Sequence, residues 1–101
     1  MAIKQRAVLV TTLHRGVFFG YATEKDLAGV PKTKSLKVKR CRNCIRWASS
    51  NKGFLGLATN GPDSNARVGP HVEELLILDV TSVGSCSDAA AQAWEAAPWS
   101  K

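Results

Sequence analysis

The sequence predicts a mainly β (α+β) protein: an antiparallel sheet of six to seven short strands, or a partly open barrel, with one short C-terminal helix. Three observations predict it. Runs rich in β-branched and aromatic residues recur along the chain, as RAVLVTTL at 6–13, VFFGYA at 17–22 and SLKVKRC at 35–41, and such runs favour strands. Turn-forming clusters separate them, the densest being TNGPDSNARVGP at 59–70, where Gly, Pro and Asn interrupt regular structure. The Ala-rich stretch AAAQAWEAA follows Ser87 and Asp88, a capping residue and a favourable first-turn charge. With 101 residues the chain has room for one core, so residues 1–101 are expected to form a single domain.

The elements follow in order. Residues 6–13 and 17–22 form a hairpin, with Phe18 and Phe19 on opposite faces and Gly20 marking a bulge or a close backbone approach. Residues 23–33 carry Gly29 and Pro31 and are expected to be a loop. From 35 to 41 the alternation is strict, Leu36 and Val38 on one face and Lys37 and Lys39 on the other, as in a half-buried strand. Residues 44–48 (CIRWA) suit a further strand, and residues 54–58 (FLGLA) a short one. The apolar run LLIL at 75–78 suits a buried strand, Asp79 the start of a turn or bulge, and residues 81–83 a continuation of the sheet. The helix is expected at 88–97, anchored by Trp94 and ended by Pro98.

Composition excludes several classes. No apolar run approaches the roughly 20 residues that span a bilayer, and the N-terminus has no signal-peptide pattern. Three Cys do not complete a disulfide framework and suit a reducing compartment. The net charge of +6 is unevenly placed: residues 1–46 hold 11 basic and 2 acidic side chains, residues 47–101 hold 3 and 6. Seven basic residues and no acid lie between Lys32 and Arg46. Such a run is either a solvated face that protects a sheet edge or a surface that meets phosphates.

Catalytic and metal signatures are weak. Cys41 and Cys44 form a CxxC, but zinc wants four ligands and the remaining candidates, Cys86, His14 and His71, are scattered. A redox CxxC belongs to a βαβ setting that is not visible here; two small residues in or beside a strand is the simpler account. Glu73 and Glu74 are adjacent, so on a strand they point apart. Neither a phosphate-cradling Gly-rich motif nor a nucleophile elbow is present. The expectation is a binding protein rather than an enzyme, with no cofactor and no metal.

Residues 40–71 are different in kind. Arg40, Arg42, Asn43, Arg46, Trp47 and Phe54 precede the polar loop from Asn60 to Pro70. Guanidinium groups match phosphate oxygens, aromatic faces stack on bases at about 1–3 kcal/mol each, and Asn reads an adenine edge. These are the parts of a nucleotide pocket. Against it, Trp47 and Phe54 are residue types usually buried as core, and Arg67 has Asp63 nearby as a partner of little energetic worth.

The order RAVLVTT, HRGVFFGY, CRNCIRWA, GFLGLATNGP, SNARVGP, LLILDVTSV and WEAAPW resembles a family of small phage and prophage proteins of unassigned function, from Arg6 to Trp99. More distantly, through Trp47, Gly61-Pro62, Ser64 and Arg67, the layout is similar to the first-type Thoeris anti-defence proteins. Those are oligomeric β-rich sponges that sequester cyclic ADP-ribose-type signals and, in some members, cyclic dinucleotides. The resemblance implies a phage protein acting without turnover in the cytoplasm of the infected bacterial host, with a cyclic nucleotide as its ligand. In that role Arg42, Arg46 and Arg67 neutralise phosphates, Trp47 and Phe54 stack on or wall the base, and Asn60 and Ser64 orient it. A small domain rarely encloses a dinucleotide alone, so the pocket is expected at the interface of a homo-oligomer. The rival readings are a small basic module that binds nucleic acid through residues 32–46, and an inhibitor that binds a host protein or is a minor virion component. None of the readings involves a membrane.

Overall fold

The computed structural model describes residues 5–13, 16–46, 53–63 and 66–97. Its order is β1 (Gln5–Thr12), β2 (Val17–Thr23), α1 (Glu24–Thr33), β3 (Leu36–Arg46), α2 (Gly53–Thr59), β4 (Arg67–Val68), β5 (Val72–Ile77), β6 (Val80–Ser85) and α3 (Asp88–Ala96). The strands form one antiparallel sheet in the order β4-β3-β2-β1-β6, with β5 also on β3. The expected mainly β architecture with a C-terminal helix is therefore the observed one, with two further small helices.

The sheet is curled, and the chain itself requires this. β5 and β6 lie at opposite edges, four strand spacings apart along β5-β3-β2-β1-β6, which is about 19 Å in a flat sheet. Yet Ile77 and Val80 are joined through Leu78 and Asp79 alone, and three peptide steps reach about 11 Å at most. The Val80 N–H donates to the Lys34 carbonyl and the Leu13 N–H to the Asp79 carbonyl, both at 2.9 Å, fixing this corner. Asp79 takes a left-handed φ of 55° to turn it.

Curling gives two cores. The inner face buries Val8, Val10, Ala22, Leu36, Val38, Cys41, Ile77 and Val80, with Leu27 and Val30 of α1 packed against it. The outer face buries Leu9, Val17, Phe19, Cys44 and Val68 beneath Leu57 and Ala58 of α2 and Ala90 and Trp94 of α3. Alternation along each strand distributes these residues: Phe19 is fully buried and Phe18 only partly, as the hairpin predicts. Cys41 and Cys44 end in different cores, so the CxxC cannot close on one metal. Burial also pushes the Cys41 thiol up to about 12.

Four expectations need correction. Residues 23–33 are not a loop. Thr23 caps α1, its hydroxyl accepting from the Asp26 N–H at 3.1 Å, and Glu24 and Asp26 suit the first turn; this signal outweighs Gly29 and Pro31. Residues 54–58 are not a strand but part of α2, because a short apolar run fits either element and here the helix lays Leu57 and Ala58 on α3. Gly61, at a φ of 79°, ends α2 by donating to the Leu57 carbonyl, and a Cβ there would sit 2.6 Å from that of Ala93. Residues 36–46 are one strand with a bulge rather than two. The run at 75–78 lies in an edge strand, not a buried one: Leu76 and Leu78 are well exposed and only Ile77 is buried. Ser87 does cap α3, accepting from the Ala90 N–H at 3.0 Å, and Trp94 is its fully buried anchor.

Candidate functional site

The bulge in β3 decides what its basic residues do. Phe19 pairs with Arg42 and Tyr21 with Lys39, so Arg40 and Cys41 together oppose Gly20. Arg40 occupies a left-handed φ of 50°, unusual for a residue with a Cβ. Gly20 makes room: a Cβ there would collide with the Val38 side chain and stand 2.8 Å from the Lys39 carbonyl oxygen. Bulges bend a strand and re-aim side chains. Here the result is that Arg40 and Arg42, two apart, enter quite different surroundings.

Arg42 goes inside. It is 2% exposed, its Nε donating to the Gly69 carbonyl at 2.8 Å and its Nη1 to the Trp94 carbonyl at 2.5 Å. It ties the last turn of α3, where carbonyls carry partial negative charge, to the segment after β4. Burial lowers its pKa, and the nearby Glu95 opposes that shift. The expected role of Arg42 in neutralising phosphate is thus replaced by a structural one.

Arg40 goes outside and grips the next residue of the same helix. Its Nη2 lies 2.5 Å from Glu95 Oε2, while His71 Nε2 lies 3.1 Å from Glu95 Oε1. Beneath them the rings form a column: Tyr21 meets Phe19 edge-on at 5.5 Å, and Phe19 stacks on Trp94 at 5.2 Å with planes 2° apart. The Trp94 Nε1 donates to the Leu57 carbonyl at 3.1 Å. Gln5, Tyr21, Arg40 and Glu95 line an open crevice of about 270 Å³. Burial and the Glu95 carboxylate raise the Tyr21 pKa, while Arg40 pulls it the other way. Gln5 also borders a second concavity of about 380 Å³, shared with Arg6, Ala7, Glu24, Cys86 and Asp88. There burial holds the Cys86 thiol up at about 11, so it stays protonated at neutral pH.

The sequence-predicted residues meet this geometry unevenly. The ladder places Arg46 opposite Arg67. Arg67 is exposed and forms no ion pair among the described residues. Asn60 is exposed in the turn after α2, and Phe54 belongs to the first turn of that helix. Trp47 and Ser64 lie outside the described residues. Neither Asn60 nor Arg67 lines either of the two concavities described above. The basic run is also broken up: Arg42 is buried, Lys39 pairs with Glu74 and Arg40 with Glu95. Sequence reasoning missed Gln5, Tyr21 and Glu95. The one signal that could have found the crevice was Gly20, whose bulge redirects Arg40.

The fold and this crevice define a class: a small curled antiparallel sheet, helices on both faces, with a polar site where a strand bulge meets the last turn of a helix. The chain belongs to the family described as "Domain of unknown function (DUF6948)", which matches residues 5–94, from β1 into α3. No curated protein and no solved structure matches the chain.

Proposed function

We propose that the chain is a non-catalytic binding protein for a small anionic guest of the nucleotide class, held at the crevice beside Arg40. The observation that carries this reading is the strained position of Arg40. Backbone strain is kept where surroundings impose it, and it concentrates at ligand clamps and active sites. A guanidinium offers forked donors to a phosphate. The adjacent Glu95 carboxylate accepts from the N–H edge of a base, and Tyr21 presents an aromatic ring and a hydroxyl at the crevice. A guest that satisfies all three has both an anionic group and a donor edge. Arg67, opposed to Arg46 at a distance from the crevice, offers a second contact for an extended guest or for a neighbouring copy. In its specific form the reading is sequestration of a cyclic nucleotide immune signal, of cyclic ADP-ribose type or a cyclic dinucleotide, by a phage protein in its host.

Calorimetry with a panel of cyclic mono- and dinucleotides and cyclic ADP-ribose isomers tests it. One member of the panel should bind with a stoichiometry that gives the subunit number. Arg40→Met should weaken that binding by at least about 10-fold, the loss of one charge-assisted contact. Uniformly absent heat at high protein concentration removes the reading. Binding only to oligonucleotides, falling steeply with salt, would instead assign function to the exposed Lys32, Lys34 and Lys37.

A further inference from the structure

A second groove, of about 310 Å³, lies away from this crevice. It runs between α1 and β6 and is lined by Leu27, Val30 and Pro31 on the helix and by residues 80–83 on the strand, with Lys34 beside them. Three features converge on it. β6 pairs with β1 alone among the described residues, so its other edge offers main-chain donors and acceptors, a ready template for another strand. α1 buries none of its residues completely, which leaves Leu27 and Val30 with apolar surface toward the groove. Lys34 closes one end: its carbonyl accepts from the Val80 N–H where β6 begins. This lysine stands at the left-handed cap of α1, φ 57°, a position where Gly is the favoured residue. It forms no ion pair among the described residues.

We propose that the groove takes an extended peptide from another protein, added to the free edge of β6 as a further antiparallel strand. The direction follows from the fold. β6 runs away from Lys34, so an antiparallel neighbour runs toward it and brings its C-terminus to the lysine ammonium. The peptide's carboxylate meets Lys34, and an apolar side chain near its end fills the space between Leu27, Val30 and Val83. A small apolar acid would meet Lys34 but leave the strand edge unpaired, whereas a peptide supplies donors and acceptors at the right spacing.

The test is an array of random hexapeptides with free C-termini, probed with the full chain and with Lys34→Gly. The glycine keeps the left-handed cap and removes the ammonium, so its fold is preserved. The expected result is selection of an apolar residue at or next to the C-terminus, and a loss of at least about 10-fold on amidating the peptide or on Lys34→Gly, as for removal of one charged contact. Amide shifts caused by a selected peptide should centre on residues 27–34 and 80–84. Three outcomes overturn the proposal: no peptide retained above background, equal retention by Lys34→Gly, or shifts centred on another part of the sheet.

Discussion

The two faces of the sheet are held in different ways. The inner face is largely aliphatic and is covered by α1, which contributes half-buried Leu27 and Val30 and, among the described residues, is tied to the sheet by polar contacts only at its two ends, Glu24 to Arg6 and the Lys34 carbonyl to Val80. The outer face is aromatic and is bolted down. Trp94 stacks on Phe19 and donates to Leu57, Arg42 donates to Trp94, and Ser87 donates to the Thr59 carbonyl at 2.5 Å. Apolar packing has no preferred direction, so it fixes that a helix docks but not its rotation. Hydrogen bonds fix rotation. The polar crevice stands on the bolted face, where Glu95 and Tyr21 are held in place.

The largest expected effect breaks the bolted face. Trp94→Ala should cost about 4 kcal/mol, the range for removing a large buried ring, and should release α3. Leu27→Ala on the inner face, half-buried, should cost about 1 kcal/mol. Urea denaturation of both variants checks the contrast. Equal losses would mean that α1 is as integral as α3.

The next comparison sets the two arginines against each other. Arg42→Met should cost about 3 kcal/mol, because its partners are main-chain carbonyls that no compensating substitution removes. Arg40→Met, breaking a partly exposed ion pair, should cost under about 1 kcal/mol. Thermal melts of the two variants measure the difference. The reverse order would place the structural cation at residue 40.

This pair also marks how far the sequence could be read. The strands at 5–12, 17–23 and 36–41 and the capped α3 were legible because alternation and capping are local signals. The roles of Arg40 and Arg42 were not. Strict alternation puts the two on the face of Leu36 and Val38, whereas beyond the bulge opposite Gly20 both meet α3, Arg42 buried beneath it and Arg40 at its rim. The capping signal at Thr23 was legible in principle, though Gly29 and Pro31 obscured it. α2 was ambiguous because FLGLA satisfies a strand and a helix equally until it packs on α3. Of the crevice lining, only Arg40 lies in the segment 40–71 that the sequence singles out. The crevice, however, takes Gln5, Tyr21 and Glu95 from elements distant in sequence, and no local pattern announces that convergence.

A smaller effect is expected from the bulge itself. Gly20→Ala forces a methyl against Val38 and the Lys39 carbonyl and should cost about 2 kcal/mol, as overpacking does. If the bulge is what aims Arg40, amide shifts should change at residues 39–42 and at its ion-pair partner Glu95 on α3. Changes confined to the neighbours of residue 20 would separate the bulge from the crevice.

The finest test leaves stability nearly untouched and reads the crevice through its electrostatics. The chain contains one tyrosine and three tryptophans, so the tyrosinate absorbance band reports Tyr21 alone. Its midpoint should lie above the ordinary 10.0, raised first by burial and then by Glu95, against the pull of Arg40. Glu95→Gln removes a negative neighbour, which makes the phenolate easier to form, and the midpoint should fall. Arg40→Met removes a positive neighbour, and the midpoint should rise. The sign for stability follows by linkage: the unfolded chain ionises at the lower pH, so above that pH it binds fewer protons than the fold, and stability declines as pH rises further. Below it, Tyr21 contributes no pH dependence. Opposite movements in the two variants would place Tyr21, Arg40 and Glu95 within one electrostatic field, as the crevice requires. An unmoved midpoint in both would show that the ion pair and the ring are separate surface features, and the contrast between a bolted, preorganised face and a loosely covered one would lose its functional meaning.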